Sequence, residues 1–480
     1  MSTSRRERRG VFHRPTRPAF FPIAVFLLAG IVPISQAQDR TLSIIEAVQT
    51  ALERNPAVES AQWDRLAASA RAEAAGFRLY PSLSLSASYQ RLSELPPTSF
   101  EFPKEPGPGT ISMELPASLT NVFAFAVNLQ YPIFAGFRLR ETLAIARLGA
   151  DSKLSALQMV QRSLIFEVRR SYWEALRAGY NVQILRRNLE LTKSNYKLLS
   201  DQVATGSATR AELLAADARQ KQAEIDLQDA VVLQKRAYLQ LASQIGWDVS
   251  ELGVSSDSSE AALPFGLSTS SDQAMYPGIS GGLDERALIQ TALARRPEAR
   301  SSALAQQAAE HNARLAASAL YPTVSIAGNL TVADPNPRVA FQTDPWQFTD
   351  TWSLGVQMSY DIGGIPANIQ EKKAQQLAVS KNLADAATLR NKIALDVRSC
   401  ILSLNRARTD LQLVTEIVAQ AEENARVARQ RYEAGILNEV GKLGEEFNLL
   451  RAQFAVINKQ IDVQIAAADL LRATAMEELP

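Results

Sequence analysis

The stretch LSIIEAVQTALERNPAVESAQWDRLAASARAEAAGFRLYP, residues 42–81, recurs as LDERALIQTALARRPEARSSALAQQAAEHNARLAASALYP, residues 283–322. The two copies align without a gap and share the run Gln-Thr-Ala-Leu, a proline and the closing Leu-Tyr-Pro. The matching residues Tyr80 and Tyr321 are 241 positions apart. A duplication of this kind indicates one structural unit used twice in one chain.

Each copy begins with a helical pattern that a proline interrupts. Ser43 and Glu46 have the spacing of a capping box at the start of the first helix, and Asp284 takes the capping position in the second copy. Pro56 and Pro297 follow early in these patterns. Because proline removes a helical hydrogen bond, we predict in each copy a short helix followed by a longer one.

Four segments, at 82–89, 123–131, 323–332 and 352–360, alternate between apolar and small polar residues. This period indicates strands with one apolar face, and about nine to eleven tilted residues suffice to cross a bilayer in a barrel. The positions predicted to face lipid are Leu83, Leu85, Tyr89, Phe125, Val127, Leu129, Ile326, Leu330, Leu354, Val356 and Met358.

A soluble sandwich, in which a second sheet covers the apolar faces, is the alternative. The opposite faces carry mostly Ser, Thr, Asn, Gln, Ala and Gly, which suit a wet lumen better than a packed core. Aromatic residues near the strand ends suit an interfacial girdle. The segments 90–121 and 333–351 are predicted to be long irregular loops on the outer side of the membrane.

Two proline-free segments, 138–199 and 367–430, predict very long helices. Both carry apolar residues at strict seven-residue spacing, which imposes a left-handed supercoil. Cys400 falls in this seam and is predicted to be a small core residue. Gly206 and Gly435 follow the long helices and predict tight turns into return helices, so that each copy ends in an antiparallel helical hairpin.

The sequence divides into four parts. Residues 1–37, with a basic region, a short apolar stretch and a small-residue cleavage site, predict a secretory signal peptide, with a membrane anchor as the alternative. Residues 38–246 form the first repeat and 283–480 the second. Between them, the Ser/Gly-rich segment 247–282 is interpreted as a linker that wraps the outside of the helices.

Composition excludes several classes of function. The 480 residues carry a net charge of +1, so no nucleic-acid partner is expected. The single cysteine excludes a disulfide framework within one chain. The segment 435–443 resembles a phosphate loop only superficially, because its glycine spacing is one residue too long and it ends in leucine. We find no nucleophile with a base, and expect neither enzymatic activity nor a cofactor or metal.

Four strands cannot close a barrel, and open edges are not tolerated in lipid. The chain is therefore expected to oligomerise. Two copies would provide eight strands, and an eight-stranded barrel is filled by its own side chains. Three copies would provide twelve strands. Four copies remain possible. The polar inner faces favour three or more.

The chain resembles the TolC-like outer membrane efflux proteins over nearly all of its mature length. The residues that carry the resemblance are Thr41-Leu42, Glu46-Ala47, Ala51-Leu52-Glu53-Arg54-Asn55-Pro56, Tyr80-Pro81, Tyr131-Pro132-Ile133-Phe134-Ala135-Gly136 and Gly206-Ser207-Ala208-Thr209-Arg210-Ala211-Glu212-Leu213. The resemblance implies an α+β membrane protein: a homotrimer in outer-membrane lipid whose twelve-stranded barrel continues into a periplasmic α-helical coiled-coil barrel. It also implies a periplasmic adaptor and an inner-membrane pump as partners, in efflux or type I secretion.

A passive outer-membrane porin and a periplasmic coiled-coil structural protein are the alternative functions. Porins do not need heptad helices longer than the membrane is thick. A coiled-coil scaffold does not explain the signal peptide or the four amphipathic strands. The cargo cannot be read from the sequence.

The resemblance places adaptor docking and the gate at the two hairpin tips, 204–213 and 433–445. The tip residues are Gly206, Thr209, Glu212, Leu213, Gly435, Glu439, Val440, Leu443 and Glu445. Some family members carry gate aspartates where this chain has Gly441 and Gly444. Glu439 and Glu445 could replace them, or could be solvated residues at a helix end.

Overall fold

The computed structural model describes residues 40–94, 99–103, 107–114, 120–247, 265–267, 284–338 and 346–476. The expected signal peptide and most of the predicted linker lie outside these ranges. Within them, no helix combines the length and the apolar character needed to cross a bilayer.

The two repeats have the same order of principal elements. The first contains β1 (Arg40–Leu42), α1 (Ile44–Arg54), α2 (Pro56–Phe77), β2 (Ser82–Arg91), β3 (Ser99–Pro103), β4 (Thr110–Glu114), β5 (Asn121–Ala135), α3 (Arg138–Ala204) and α4 (Arg210–Ile245). After β6 (Phe265–Leu267), the second contains α5 (Glu285–Arg295), α6 (Pro297–Ser318), β7 (Thr323–Asp334), β8 (Thr349–Ser359), α7 (Ile365–Glu433) and α8 (Glu439–Thr474). The predicted helices and strands are all present.

One interpretation of a loop was wrong. The segment 90–121 was predicted to be irregular, but β3 and β4 inside it form an antiparallel hairpin. Phe100 pairs with Met113 and Phe102 with Ile111. The apolar residues of this hairpin alternate over only five positions, and the surrounding prolines obscured that short pattern. The sequence reading also missed the short parallel pair of β1 and β6.

The helix starts follow the sequence signals. The Ser43 hydroxyl accepts a hydrogen bond from the Glu46 amide at 3.2 Å, while the Glu46 carboxylate accepts one from the Ser43 amide at 3.1 Å. Asp284 caps α5 by accepting from the Arg286 amide at 3.0 Å. Pro56 and Pro297 occupy the first positions of α2 and α6, where a missing N–H removes no helical bond.

Both repeats contribute to one four-stranded antiparallel sheet in the order β2-β5-β7-β8. The pairing of β5 with β7 joins the two repeats, and one irregularity interrupts this ladder between Pro132 and Phe134. The long helices α3 and α7, with 67 and 69 residues, extend about 100 Å from the sheet at 1.5 Å per residue.

The helical core lies where each short first helix packs against a long hairpin. In the first repeat α1 packs on α3 and α4, and Tyr172 is fully buried there with its hydroxyl donating to the Leu42 carbonyl at 2.8 Å. In the second repeat α5 packs on α7 and α8 around Leu404. Cys400 is buried in that cluster, as predicted, and burial raises the pKa of its thiol to about 12.

Each repeat has a hydrogen bond from the junction of its first two helices to the end of its helical hairpin. Asn55 Nδ2 donates to the Gln244 carbonyl at 2.8 Å. At the equivalent place, Arg296 Nε donates to the Ala473 carbonyl at 2.6 Å, and the same guanidinium also pairs with Asp396. The second repeat therefore replaces an amide by a buried, paired charge.

Candidate channel surfaces and hairpin tips

The four-stranded sheet has one apolar face, and strand register places all eleven residues predicted to face lipid on it. Leu83 lies opposite Leu129, and Leu85 opposite Val127. The same side continues across the sheet where Val127 meets Leu330 and Ile326 meets Val356. Tyr89, Phe125, Leu354 and Met358 occupy further positions of the same alternation.

This apolar face is uncovered in the single chain. Leu85 is 78% exposed, and Trp352 and Val356 are 72% and 70% exposed. A contiguous exposed apolar surface marks a site of contact with lipid or protein. Gly328 sits within this face, where an added Cβ would lie 3.3 Å from Leu354 Cδ1 and 3.5 Å from Leu129 Cβ. Leu129 and Leu354 therefore pack over the glycine. In the sequence, this contact was indicated only by Gly328, which interrupts the apolar alternation of β7 between Ile326 and Leu330.

Aromatic clusters lie at both ends of the sheet. At one end the Phe123 ring centroid is 4.7 Å from that of Tyr89 and 5.2 Å from that of Trp346. At the other end Phe134 lies 5.7 Å from Phe137. The stretch of β5 from Phe123 to Phe134 spans roughly 36 Å at about 3.3 Å per residue. At the tilt of about 40° found in outer-membrane barrels, this distance would correspond to about 28 Å along the membrane normal, close to the height of their apolar band.

The opposite face of the sheet is polar and uncharged. Asn329 Nδ2 donates to Asn128 Oδ1 across β5 and β7 at 2.8 Å, and the Thr331 hydroxyl donates to Asn329 Oδ1 at 2.7 Å. Among the described residues that the register of the four strands places on this face, none is acidic or basic.

Both edges of the sheet are open in the single chain. Among the described strands, β2 pairs only with β5 and β8 pairs only with β7. An open edge presents unpaired backbone N–H and C=O groups that require another partner in lipid.

The first hairpin tip is closed by a complete capping box. Gly206, with φ of 78°, lies between α3 and α4, and the Ser207 amide donates to the Gln202 carbonyl at 2.8 Å. Thr209 Oγ1 accepts from the Glu212 amide at 3.3 Å, while the Glu212 carboxylate accepts from the Thr209 amide at 2.7 Å. The bonds that the Thr209 amide and hydroxyl donate to this carboxylate lower the pKa of Glu212. Glu212 therefore stabilises the start of α4, and Leu213 behind it is half-buried.

The second tip has only half of that box. Gly435 has φ of 69°, and Asn438 caps α8 by accepting from the Gly441 amide at 2.9 Å. Gly441 stands where the first tip has Glu212, so no side chain returns to the cap. A Cβ at Gly441 would lie 2.6 Å from Leu437 Cδ1, which fills that space.

The acidic residues of the second tip are separate from the cap. Glu439 is exposed at the first position of α8, where the helix dipole favours a negative charge. Glu445 is half-buried and accepts from Asn448 Nδ2 at 3.5 Å. Val440 and Leu443, about one helical turn apart in α8, are also half-buried.

The return helices are covered unequally. α8 packs against both α7 and α3, and its Ile461 is buried. α4 packs against α3 and α1, and its Leu214, Ile225 and Leu233 are each more than half exposed. α4 is the counterpart of α8 in the first repeat, but within the described residues its apolar surface lacks the second long helix that α3 provides to α8.

Solved structures share this fold. The CmeC outer membrane channel of Campylobacter jejuni matches with a TM-score of 0.70 and 18% identity, covering 90% of this chain and 85% of that one. The MtrE outer membrane channel of Neisseria gonorrhoeae in its open state matches with a TM-score of 0.66 and 18% identity, covering 90% and 88%. CusC matches with a TM-score of 0.68 and 17% identity, covering 90% and 91%.

No curated protein sequence matches the chain. A family model described as outer membrane efflux protein matches residues 47–247 and 288–475, and these two segments correspond to the two repeats. This match covers most of the chain and agrees with the fold of the solved channels. The chain therefore belongs to the outer membrane efflux protein family.

Proposed function

We propose that three copies of this chain form a closed channel through the outer membrane, the exit duct of a tripartite efflux or type I secretion system. The observation that carries the proposal is the four-stranded sheet, with one exposed apolar face, one uncharged polar face and two open edges. In lipid only a closed barrel satisfies the backbone of such a sheet.

The number of copies follows from the size of the lumen. Two copies would provide eight strands, and a barrel of eight strands is filled by its own side chains. Three copies provide twelve strands and leave room for water. The uncovered apolar surface of α4 supports the same assembly, because a neighbouring copy supplies a long helix to cover it.

The barrel wall does not select its cargo by charge. The described inward positions are small and uncharged, with amides such as Asn128, Asn329 and Gln357 among serines and alanines. Such a lumen conducts water and polar solutes of either sign. The choice of cargo therefore lies with the pump, a separate chain.

The long helices continue the lumen into the periplasm as a coiled-coil barrel, with the hairpin tips at its far end. There Ile436 is 77% exposed and Leu214 is 62% exposed. These apolar residues, beside Glu212 and Glu439, suit docking of a periplasmic adaptor that connects the channel to an inner-membrane pump. Cargo then passes from the pump to the exterior. A passive porin would not need helices of about 100 Å.

Native mass measurement of the detergent-extracted mature protein tests the assembly, and we expect a trimer. A monomer would contradict the shared barrel. Deletion of this chain from cells tests the direction of transport: the cargo of the partner pump should accumulate inside, and the wild-type chain should restore its export. Unchanged export in the deletion strain, with no other channel able to substitute, would contradict the role in efflux.

A further inference from the structure

We infer the register by which neighbouring copies close the barrel: β8 pairs antiparallel with β2 of the next copy, with Gln357 opposite Ser88 of that copy. This inference rests on the proposed trimer and specifies its interface. It follows from the duplication, because the strand ladders inside one chain already show how the repeats pair.

The two ladders within the repeats have identical register. In the first repeat Leu85 lies opposite Val127. From the second strand onward the repeats are 229 positions apart instead of 241, as Tyr131 and Tyr360 show. Leu85 is therefore equivalent to Ile326, and Val127 to Val356. Ile326 does lie opposite Val356. The two offsets therefore transfer strand pairing from one repeat to the other without a shift.

The ladder between the repeats supplies the template for the contact between copies. In the chain β5 of the first repeat pairs with β7 of the second, and Asn128 lies opposite Asn329. Adding 229 to Asn128 reaches Gln357 in β8, and subtracting 241 from Asn329 reaches Ser88 in β2. The hydrogen bond from Asn329 to Asn128, at 2.8 Å, has its counterpart between Gln357 and Ser88 of the next copy.

The lengths of the strands support this pairing. β5 extends to Ala135. Its pairing with β2 stops at Gln130, and its last residues pair with β7 alone. The position in β8 equivalent to Ala135 is Gly364, yet β8 ends at Ser359 in the single chain. Beyond Ser359 the chain turns into α7, where the Gly364 amide donates to Asp361 Oδ1 at 3.0 Å, so residues 360–362 are the ones left to pair with the next copy. We expect β8 to continue to Ile362 in the trimer, the position equivalent to the irregularity of β5 between Pro132 and Phe134.

Other registers conflict with the faces of the sheet or with the repeat. A slip of one residue would turn every apolar side chain of one strand into the lumen. A slip of two residues would keep each side chain on its face of the sheet. The pairing between copies would then differ in register from the equivalent pairing of β5 with β7. The inferred register instead places Val356 opposite Tyr89 of the next copy, so that apolar residues meet on the lipid side.

Disulfide capture in the assembled trimer tests the register. Gln357→Cys with Ser88→Cys places directly opposite Cβ atoms about 4.5–5.5 Å apart, whereas Gln357→Cys with Ser86→Cys or Gln90→Cys gives diagonal pairs at about 7–8 Å. Asn128→Cys with Asn329→Cys is the matched pair within one chain. Cys400 contributes little background, because it is buried and its thiol pKa is raised to about 12.

We expect mild oxidation to link most Gln357→Cys, Ser88→Cys chains into covalent dimers and trimers on a non-reducing gel, at least five-fold more than either diagonal pair. Trimers in which a diagonal pair is captured more fully than the Ser88 pair would overturn the register and leave the proposed function standing. Monomers by native mass would instead overturn the proposed function.

Hydrogen exchange provides a measurement that needs no substitution. Amides from Tyr360 to Ile362 should gain protection in the wild-type trimer, because β8 pairs there with the next copy. Rapid exchange throughout that segment in an intact trimer would overturn the register as well.

Discussion

Leu129→Arg is expected to prevent membrane assembly. Leu129 lies on the apolar face of the sheet, paired with Leu83 on one side and Gly328 on the other. Along β5 it is six residues from Phe123 and five from Phe134, the residues of the two aromatic clusters. At about 3.3 Å per residue and a tilt of about 40°, Leu129 would lie roughly 15 Å and 13 Å from those levels, near the bilayer midplane of the proposed barrel.

The magnitude follows from this depth. An arginine facing lipid at the midplane of a barrel costs about 2–4 kcal/mol. A trimer carries the substitution three times, so we expect a loss of about 6–12 kcal/mol per assembly. Folding into lipid vesicles followed by urea titration measures the loss, and the fraction of trimer that resists detergent on an unheated gel reports assembly.

Gln130→Arg is the matched control. It introduces the same charge one residue further along the strand, where the side chain points to the polar face. The Ser82 hydroxyl bonds to the backbone carbonyl of residue 130, and that contact survives the substitution. We expect assembly to be nearly unchanged. If Gln130→Arg costs as much as Leu129→Arg, the assignment of the strand faces is wrong.

Three further substitutions test the helical part of the chain. Leu404 has no exposed surface, so Leu404→Ala should lower the free energy of unfolding by about 2–5 kcal/mol. Leu402 is exposed, so Leu402→Ala should change the free energy of unfolding of the isolated chain little. Chemical denaturation measures both values. Tyr172→Phe removes the hydroxyl bonded to the Leu42 carbonyl, and thermal or urea unfolding should show a loss of about 1 kcal/mol; no loss would mean that the bond contributes nothing. Burial alone would raise the pKa of Glu141, but hydrogen bonds from His311 and Arg314 outweigh burial and hold this pKa below its usual value. The contact therefore stabilises the protein above about pH 4.5, and this stabilisation is lost as the pH falls through the lowered pKa. Hydrogen-exchange protection where α3 meets α6 should therefore decline in acid, and Glu141→Gln should abolish that decline.

Local patterns predicted most of the elements, because each depended on residues close together in the chain. The alternation at 82–89 predicted β2, and the heptads predicted two helices of more than 60 residues. Ser43, Asp284 and the prolines at 56 and 297 predicted where the first helices begin and divide. The hairpin of β3 and β4 was missed, because two strands of five residues between prolines give too short a pattern.

At the hairpin tips, the sequence identified residues and the structure assigned their contacts. The sequence showed, through the family resemblance, that Gly441 and Gly444 stand where some members have acidic residues. The three-dimensional structure showed that Glu212 completes a capping box and that Leu437 fills the corresponding space in the second tip. Docking of an adaptor at these tips stays a prediction.

The duplicated unit, the two faces of each strand and the seam of each long helix can all be read from the sequence, since periodicity along the chain encodes which side of an element is apolar. The pairing of β5 with β7, which joins the repeats into one sheet with two open edges, became known from the three-dimensional fold. Pairing between strands about 200 residues apart depends on backbone hydrogen bonds that any residue except proline can donate. No local pattern specifies that partner, although the duplication, once its ladders are seen, extends the same pairing to the next copy.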